Sequence, residues 1–387
     1  MRICFVLPEA HKWGAHKALI ETIDALKKQG VECFVVLPSG RELSSELSNR
    51  GIPCCTIPYR WWMRDKKAPL RKRLSRTLLH LIMAVIVAIK IRQWQCDVVY
   101  TNTISICVGA FAAAFVGRPH IWHIHEFGYE DHGHVFDLGQ NLSLRIVDKL
   151  SSVCIVNSNA VAQKYQQFIK PSKLKVVYQT VNVVLGGSLT SIMTPTPAFK
   201  CLIVGRLVEG KRQEDAIRAI VELVQASVSI ELYIVGDGNP QYLQYLQTIV
   251  TESKLEKHIM FVGYVENAFP FMQSADVVLV CSRCEAFGRV TVEGMRAGKP
   301  VIGTRSGGTK ELIQDGFNGL LYTPEDHKEL AQKIRYIYEH PAVAKQMGEN
   351  GQQWVASNFS QERYGEEILT LLKPLTGDRQ DAWHLGT

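Results

Sequence analysis

Short apolar runs alternate with amphipathic segments along most of the chain, and this alternation limits the possible folds more than any other feature. The run Ile3–Leu7 is typical of a buried strand, and Ala18–Gln29 has apolar residues at helical spacing and stops at a glycine. A further strand pattern, Val31–Leu37, follows. Repeated strand–helix–strand units predict a parallel sheet with helices on both faces.

The alternation is interrupted once, near residue 190. Residues 186–197 are rich in Gly, Ser, Thr and Pro and have no periodicity, which is typical of a linker. A chain of 387 residues is long enough for two domains. We therefore predict an α/β protein with two Rossmann-like doubly wound domains facing across a cleft. The predicted parts are a first domain over residues 1–185, a linker over 186–198, a second domain over 199–357, and a C-terminal helix over 358–375.

Composition favours a globular protein of the cytoplasm. Hydrophobic residues make up 46% and charged residues 21%, which argues against a disordered or collagen-like chain. The ten cysteines are scattered, and several lie in apolar runs, as expected of reduced, buried thiols. The N-terminus runs directly into a strand pattern without the features of a signal peptide. The longest apolar stretch, Leu78–Ile89, is shorter than the roughly 20 residues of a membrane-spanning helix.

Positive charge is concentrated in one segment. The formal net charge is +7, but residues 60–92 contain ten Lys or Arg against the single acid Asp65, so this segment carries +9. Basic residues mixed with tryptophan suit the surface of an anionic membrane. We therefore expect residues 60–76 to form an exposed patch that contacts lipid head groups, while Leu78–Ile91 packs in the core. A solvated loop is the alternative, and no recognition motif supports nucleic-acid binding.

Two cations follow a strand pattern in the second half. The strand ends at Val204, a glycine turns the chain, and Arg206 and Lys211 precede a helix that begins at Gln213. Cations and unpaired N–H groups near a helix N-terminus form a site for anions, although a solvated basic turn is an equal alternative. Gly236 begins a Gly-x-Gly, which is a weak signal for dinucleotide binding and is better explained as a tight turn.

The strongest signal is a segment with two acids, Glu285–Glu293. Gly288 precedes a predicted helix, which places Glu285 in the loop before it and Glu293 in its second turn. N–H groups at a helix N-terminus bind phosphate or sugar hydroxyls, and carboxylates bind vicinal hydroxyls. The alternative is a helix whose N-terminal acids are favoured by its dipole.

These motifs belong to an ordered set. Over residues 200–325 the chain contains Gly-Arg-Leu-x-x-x-Lys, Val-Gly-Asp-Gly, Glu-x-Phe-Gly-x-x-x-x-Glu, Gly-Lys-Pro-Val-Ile and Gly-Gly-x-x-Glu. In this order and spacing they resemble the family 4 glycosyltransferases, and the first half agrees more loosely. The resemblance implies a GT-B fold in which residues 1–185 form the N-terminal acceptor-side domain, residues 199–357 form the C-terminal nucleotide-sugar-binding domain, and the C-terminal helix over 358–375 returns to the first domain. It also implies a nucleotide sugar between the two domains, retention of anomeric configuration, no cofactor and no catalytic metal. The lack of any Asp-x-Asp motif agrees with the last point.

The resemblance also implies roles for individual residues. Arg206 and Lys211 would clamp the diphosphate, and Glu293 would hold the ribose hydroxyls. Glu285 would face the transferred sugar as a catalytic residue that positions and stabilises. Charge on the departing diphosphate would be stabilised by the two cations and a helix N-terminus. The further donor contacts implied are Gly236, Tyr264, Val265, Ala286, Phe287, Gly288 and Arg289.

In the first half, two positions match the family. Gly14 follows the first strand, where the family has a glycine-rich loop, although here the bulky Trp13 precedes a single glycine. His125 follows a strand and matches the family's His-Asp/Glu site beside the sugar, so we assign it as the second catalytic residue. We expect His123 on the opposite face of that strand, as a core histidine.

A group of polar residues after this strand allows two interpretations. It could bind a metal ion, but a polar loop is favoured, and we expect no metal site. The residues are Glu130, Asp131, His132 and His134.

Taken together, the sequence predicts a retaining glycosyltransferase. It would move a hexosyl group from a UDP-sugar such as UDP-glucose to a glycan or lipid-linked acceptor in polysaccharide biosynthesis, in the cytoplasm or at the inner face of the plasma membrane. The first alternative is a nucleotide-sugar epimerase on the same fold. The second is a non-catalytic glycan-binding or membrane-scaffold subunit, which the intact set of Arg206, Lys211, Glu285 and Glu293 argues against.

Overall fold

The computed structural model of the protein describes residues 1–8, 14–64, 69–183, 193 and 196–376. These residues form two compact α/β units. The first is drawn from Met1–Thr180 and Gln361–Thr387, and the second from Val181–Ser360. Each contains a parallel sheet with helices on its faces, so the predicted fold class is confirmed.

The described part of the first unit contains nine strands. They are β1 Arg2–Val6, β2 Glu32–Leu37, β3 Cys54–Thr56, β4 Met63–Arg64, β5 Val98–Thr101, β6 His120–Ile124, β7 Val135–Phe136, β8 Val153–Val156 and β9 Leu174–Val176. Seven of them form a parallel sheet in the order β3-β2-β1-β5-β6-β8-β9. Strands β4 and β7 form a separate antiparallel pair.

Helices cover both faces of this sheet. They are α1 Gly14–Lys28, α2 Arg41–Asn49, α3 Leu70–Gln93, α4 Val108–Val116, α5 Tyr129–His132, α6 Gln140–Leu150, α7 Asn159–Tyr165 and, from the end of the chain, α15 Gln361–Thr376. Alternate residues of β1 enter different cores: Phe5 packs with α1, α2 and α15, whereas Val6 packs with α3 and α4. This alternation is the expected result of the strand's two-residue period.

The last helix belongs to the first unit through its contacts with α1. The hydroxyls of Tyr364 and Thr22 are 2.9 Å apart in a buried hydrogen bond. At Gly365 the backbone of Ala25 approaches so closely that an added Cβ would lie 2.8 Å from its carbonyl oxygen. Because α15 follows the whole second unit in sequence, the chain passes from the first unit to the second and then back.

The second unit is built on a six-stranded parallel sheet. Its strands are β10 Phe199–Val204, β11 Ile230–Val235, β12 Ile259–Gly263, β13 Val277–Val280, β14 Val301–Thr304 and β15 Gly319–Tyr322, in the order β12-β11-β10-β13-β14-β15. Its helices are α8 Gln213–Gln225, α9 Pro240–Glu252, α10 Phe269–Ser274, α11 Arg289–Arg296, α12 Thr309–Leu312, α13 His327–Glu339 and α14 Pro341–Asn358, with a 3-10 turn at Glu209–Lys211. Because the strands are parallel, their carboxyl ends and the loops that follow lie at one edge of the sheet.

One strand of this sheet was not predicted. The residues from Asp315 to Gly319 include the Gly and Asn that are typical of turns, but Gly319 begins β15. An added Cβ at Gly319 would lie 2.4 Å from the carbonyl oxygen of Val301 in β14, so glycine is required by the close approach of the two strands.

The expectation for the basic segment was partly wrong. Trp62 and Met63 are buried rather than exposed, because the Trp62 ring stacks on Trp122 and its Nε1 donates to the carbonyl of Ile104 at 2.7 Å. Arg76 is also buried, paired with Asp137 at 2.5 and 2.9 Å. Within the same segment Arg60 and Arg71 are exposed, and residues 65–68 lie outside the described residues.

The expectation that Leu78–Ile91 packs in the core holds for one face of α3 only. Ala84, Val87 and Ile91 are buried, but several large apolar side chains of the same helix are exposed. Among the helices that the structure describes, none combines the length and the apolar character needed to cross a bilayer.

Candidate active site

Backbone hydrogen bonds join the loops at the carboxyl edge of the second sheet. The amide of Leu207 donates to the carbonyl of Asp237 at 2.7 Å, and the amide of Gly236 donates to Gly263 at 2.8 Å. On the other side, the amide of Arg283 donates to Gly210 at 2.9 Å. The loops after β10, β11, β12 and β13 therefore form one connected surface.

Glycine makes this close approach possible at two positions. At Gly236, φ is +140°, and an added Cβ would lie 2.0 Å from the carbonyl oxygen of Gly205. At Gly308, which has an ordinary φ of −68°, an added Cβ would lie 2.6 Å from the carbonyl oxygen of Phe287. The tight-turn interpretation of Gly236 is thus the one that its geometry supports.

Lys211 and Glu285 meet across two of these loops. Lys211 Nζ lies 2.5 Å from Glu285 Oε1, and Ser282 Oγ donates to the same oxygen, also at 2.5 Å. Ser282 is itself held by β14, because its carbonyl accepts from Thr304 Oγ1 at 2.7 Å. The arrangement fixes a cation and a carboxylate side by side, both of them half-buried. Ser282 was not singled out from the sequence.

Arg206 lies at the start of the loop that carries Lys211. Its side chain is exposed, and its carbonyl oxygen accepts from Gln213 Nε2 at 3.0 Å, which ties the loop to the first turn of α8. The two cations therefore share one loop whose ends are anchored to β10 and α8. Such a loop can bind an anion with little loss of backbone entropy.

A buried network supports the start of α8. Arg212, which has a positive φ of +53°, forms ion pairs with two acids of α8. Its Nη2 lies 2.8 Å from Asp215 Oδ1, and its Nη1 lies 2.6 Å from Glu214 Oε1. Burial raises the pKa of the Asp215 carboxyl, while Arg212 opposes that rise. This network stabilises the junction between the Arg206–Lys211 loop and α8. It was not predicted, because Arg212 lies outside the motif that contains Arg206 and Lys211.

Glu293 lies on α11, which follows the acidic loop. Gly288 precedes the helix with a φ of +100°, and Arg289 lies 4.0 Å from Glu293 in an ion pair one turn away. Phe287 is buried and contacts the ring of Phe359, with 5.9 Å between ring centroids, so it anchors the loop. Ala286 is also buried. The side chain of Phe287 thus supports the acidic loop at the start of α11.

Tyr264 and Val265 directly follow β12. Tyr264 is 54% exposed, and Val265 is half-buried. Gly263 links them to the adjoining loop through the hydrogen bond from Gly236. All eleven predicted positions of the second unit therefore lie in its connected edge loops or in the first two turns of α11.

In the first unit, His125 is held by amide groups on both sides of its ring. Gln179 Nε2 donates to His125 Nδ1, and His125 Nε2 lies 2.8 Å from Asn102 Oδ1. Because an amide nitrogen donates and an amide oxygen accepts, this pattern fits the neutral tautomer with its proton on Nε2. Neither amide was predicted to hold the histidine, since both come from loops distant in sequence.

The placement of His123 on the opposite face was wrong. Residues two apart in a strand share a face, and the rings of His123 and His125 lie with centroids 3.9 Å apart. His123 is fully buried, and its Nδ1 lies 2.7 Å from the hydroxyl of Tyr100. Burial, and then the neighbouring His125, lower the pKa of His123 well below its usual value.

Two other positions of the first unit can be placed. Gly14 begins α1, and residues 9–13 before it lie outside the described residues. Glu126 accepts hydrogen bonds from the amides of Ile104 and His125, at 2.8 and 2.9 Å. Its carboxylate therefore fixes the backbone beside His125.

The polar group after β6 does not gather as a metal site where it is described. Glu130 pairs with Lys164, and the ring of His134 lies edge-on to Trp61 at 5.5 Å. The side chains of Asp131 and His132 are outside the described ones. Among the residues that the structure describes, no three His, Cys, Asp or Glu side chains are grouped so as to hold a metal ion.

Two family models match this chain. Residues 14–184 match the model described as Glycosyltransferase Family 4, and residues 193–354 match the model described as Glycosyl transferases group 1. The two matches are adjacent and together cover most of the chain.

Curated relatives agree with these matches. N-acetyl-alpha-D-glucosaminyl L-malate synthase of Bacillus anthracis is 28% identical over 61% of this chain, which spans slightly less than two thirds, 63%, of that protein. The lipopolysaccharide core biosynthesis glycosyltransferase LpsD of Rhizobium meliloti is 26% identical over 92% of this chain and 94% of its own length.

A solved structure shares the fold along nearly the whole chain. The crystal structure of HepE from Anabaena in complex with UDP has a TM-score of 0.80 and 24% sequence identity, covering 97% of this chain and all of HepE. The chain belongs to the family 4 glycosyltransferases, and it is a glycosyltransferase enzyme with the GT-B fold.

Proposed function

We propose that this enzyme transfers a hexosyl group from a UDP-hexose, such as UDP-glucose, to a glycan or lipid-linked acceptor in polysaccharide biosynthesis. The observation that carries the proposal is the ion pair between half-buried Lys211 and Glu285, whose carboxylate also accepts from Ser282, with Arg206 on the same loop as Lys211. This arrangement offers two cations to a diphosphate and a fixed carboxylate to a sugar. HepE has been solved with UDP and with UDP-glucose, and LpsD is named for lipopolysaccharide core biosynthesis.

Each residue has a chemical task in this proposal. Arg206 and Lys211 bind the diphosphate and stabilise the negative charge that grows on it as the glycosidic bond breaks. Glu293 accepts hydrogen bonds from the ribose hydroxyls, and main-chain groups at Tyr264 and Val265 contact the base. The donor contacts are completed by backbone at Gly236 and along residues 286–289.

Transfer proceeds with retention of configuration in this proposal. The acceptor hydroxyl attacks from the side on which the diphosphate leaves, and a diphosphate oxygen takes the hydroxyl proton. Glu285 and His125 position the sugar and stabilise its positive charge without attacking it. Gly14 supplies a backbone contact at the start of α1.

The reaction needs no cofactor and no metal ion in this proposal, because the cations are supplied by side chains. A donor panel tests this: each nucleotide sugar is incubated with and without EDTA, and release of nucleoside diphosphate is measured. UDP release from one UDP-hexose, unchanged by EDTA, is expected. Strong inhibition by EDTA would contradict metal independence.

The same assay separates the alternative activities. A new sugar nucleotide without free UDP would indicate an epimerase, and donor binding without turnover would indicate a non-catalytic subunit. Proton NMR of the first product gives its anomeric configuration, and an inverted product would contradict retention.

We also propose that the enzyme works in the cytoplasm at the inner face of the plasma membrane. Residues 60–76 still present exposed cations such as Arg60 and Arg71, although Trp62, Met63 and Arg76 are buried. Attraction to anionic lipid contributes about 1 kcal/mol for each cation near the surface. This location would bring the enzyme to a lipid-linked acceptor.

A further inference from the structure

Helix α3 has a continuous exposed stripe with a regular composition. Its members follow each other at intervals of four and three residues, which places them on one face of the helix. All are exposed, and they are Arg71, Ser75, Leu78, Ile82, Val85, Ile89 and Arg92. Arginine thus stands at each end of the stripe, and four aliphatic side chains occupy its middle.

The four aliphatic side chains of the stripe are about half exposed to solvent or more. Leu78 is 61% exposed, and Ile82, Val85 and Ile89 are each 49–50% exposed. Single exposed apolar residues are common on protein surfaces, but a contiguous set marks an interaction site. At 1.5 Å per residue, the apolar part is about 16 Å long, and the two arginines are about 31 Å apart along the axis.

The adjoining helix extends this apolar surface. Phe115 of α4 is 47% exposed, and it lies beside α3. Between the two helices is a hollow of about 180 Å³, lined by Val85, Ala88, Ile89, Arg92, Phe115 and Val116. A cavity of this size, apolar with one arginine at its lining, suits a hydrocarbon chain attached to an anionic group.

The charged residues of these two helices have a single sign. The sequence of α3 contains six Lys or Arg and neither Asp nor Glu, and that of α4 contains no charged residue. A second copy of this chain would bring the same cations against each other, which opposes self-association through α3. A surface of anionic lipid offers the complementary charge and an apolar interior together.

From this geometry we propose that the exposed face of α3, with Phe115 of α4, docks on an anionic lipid bilayer. We name this set, Leu78, Ile82, Val85, Ile89 and Phe115, the α3 face. The aliphatic side chains enter the interfacial layer while Arg71 and Arg92 pair with lipid phosphates, and the hollow accepts part of one acyl chain. This surface overlaps the residue 60–76 patch only at its Arg71 end, and its binding depends on the apolar side chains farther along α3 as well as on charge.

The inference rests on the proposed function only for its biological setting, because lipid binding is measured without a sugar donor. The full chain is floated with vesicles of phosphatidylcholine, alone or mixed with about one third phosphatidylglycerol. The test variant is Ile82→Gln/Ile89→Gln. Its matched control is Leu142→Gln, which changes an equally exposed (51%) apolar residue on α6 of the same unit.

We expect the wild-type chain to float with the anionic vesicles and to bind the neutral ones much more weakly. The test variant should lose on the order of ten-fold in partitioning, whereas Leu142→Gln should bind like the wild type. Substituting Arg71→Gln/Arg92→Gln should weaken binding at low salt and remove most of its salt dependence.

Three results would overturn the inference. The first is no binding of the wild-type chain to anionic vesicles, and the second is equal binding by the wild type and the Ile82→Gln/Ile89→Gln variant. The third is a dimer, seen by light scattering, that this variant dissociates, because the α3 face would then join two copies. If vesicle binding is as expected but no donor yields nucleoside diphosphate, the proposed function fails and the docking surface stands.

Discussion

Lys211 Nζ and Glu285 Oε1 lie 2.5 Å apart, although the two residues belong to loops after different strands. The same carboxylate oxygen accepts from Ser282, so the carboxylate is held from two directions. A diphosphate that binds Lys211 would compete with Glu285 for the ammonium group. The Glu285 carboxylate would then be freed to bind the sugar beside the diphosphate.

The two cations are the first target for substitution. Arg206→Ala and Lys211→Ala should each lower kcat on the order of 100-fold, because each removes one strong contact to the leaving group. UDP release under saturating donor measures this. Arg218→Ala, which removes an exposed cation on α8, serves as the control and should retain wild-type turnover. Wild-type turnover of Arg206→Ala would refute the clamp.

The ribose contact can be tested with a matched donor. Glu293→Gln should raise KM for UDP-glucose on the order of ten-fold, because a charged hydrogen-bond acceptor is lost. The wild-type enzyme should turn over UDP-glucose that lacks the ribose 2′-hydroxyl poorly. Glu293→Gln should use this deoxy donor as well as it uses UDP-glucose. Glu349→Gln, an exposed change on α14, is the control. Equal discrimination against the deoxy donor by both enzymes would exclude the proposed contact.

Gly308 allows a steric test that avoids backbone strain. Its φ of −68° suits alanine, but a Cβ there would lie 2.6 Å from the carbonyl oxygen of Phe287. Gly308→Ala should therefore displace the acidic loop and lower turnover on the order of 100-fold. Gly316→Ala has the opposite properties, with a φ of +83° and open space around the added Cβ. It should cost some stability and leave turnover intact, and equal activities would show that loop position is unimportant.

The hydrogen bonds of His125 predict a change in pH dependence. Gln179→Glu replaces the donor to Nδ1 by a carboxylate, which favours the protonated imidazole. The kcat–pH profile of this variant should therefore be shifted toward higher pH relative to the wild-type profile. Gln179→Leu, which removes the donor without adding charge, should lower kcat without that shift. Superimposable profiles for all three enzymes would contradict the role of Gln179.

Buried histidines predict acid sensitivity of the fold. Burial lowers the pKa of His80 to about 4 and that of His120 to about 3, so both are neutral in the folded protein near neutral pH. The unfolded chain takes up protons below its pKa of about 6.5, so stability falls as the pH drops from 6.5 toward 4. Each histidine should contribute a loss of about 2 kcal/mol between pH 7 and pH 5.

Urea unfolding followed by circular dichroism measures this loss. The free energy of unfolding of the wild type should differ between pH 7 and pH 5, and His80→Leu should reduce this difference by about 2 kcal/mol, the contribution of one histidine. Identical differences for the variant and the wild type would show that His80 does not titrate as its burial requires.

The sequence predicted features that repeat or that belong to one continuous motif. The strand predicted over Val31–Leu37 agrees with β2 to within one residue, because a short apolar run between turns has few alternatives. Arg206, Lys211 and Glu293 could be assigned to the loops and helix after the strands of the second sheet, because motif spacing fixes them relative to strand ends. Their loops do meet, as parallel strands require.

Features that depend on tertiary contacts were not predictable in this way. Ser282 and Gln179 act through partners distant in sequence, and periodicity carries no information about such pairs. Strand β15 could not be predicted, because Asn318-Gly319 is a dipeptide typical of turns. In the structure, Gly319 instead pairs with Val301 of β14. The hydropathy of α3 predicted burial, although which face is covered depends on the neighbours that the fold supplies.

The contact between α15 and α1 has a consequence for biosynthesis. During translation, α1 emerges from the ribosome early, whereas the helix that covers it is made only after the entire second unit. Until α15 is made, the surface of α1 that contacts Tyr364 stays exposed to solvent. The first unit can therefore complete its packing only after the whole second unit has been synthesised. A chain truncated before residue 361 would thus contain the whole sequence of the second unit but would leave the α15-binding surface of α1 uncovered, which favours aggregation.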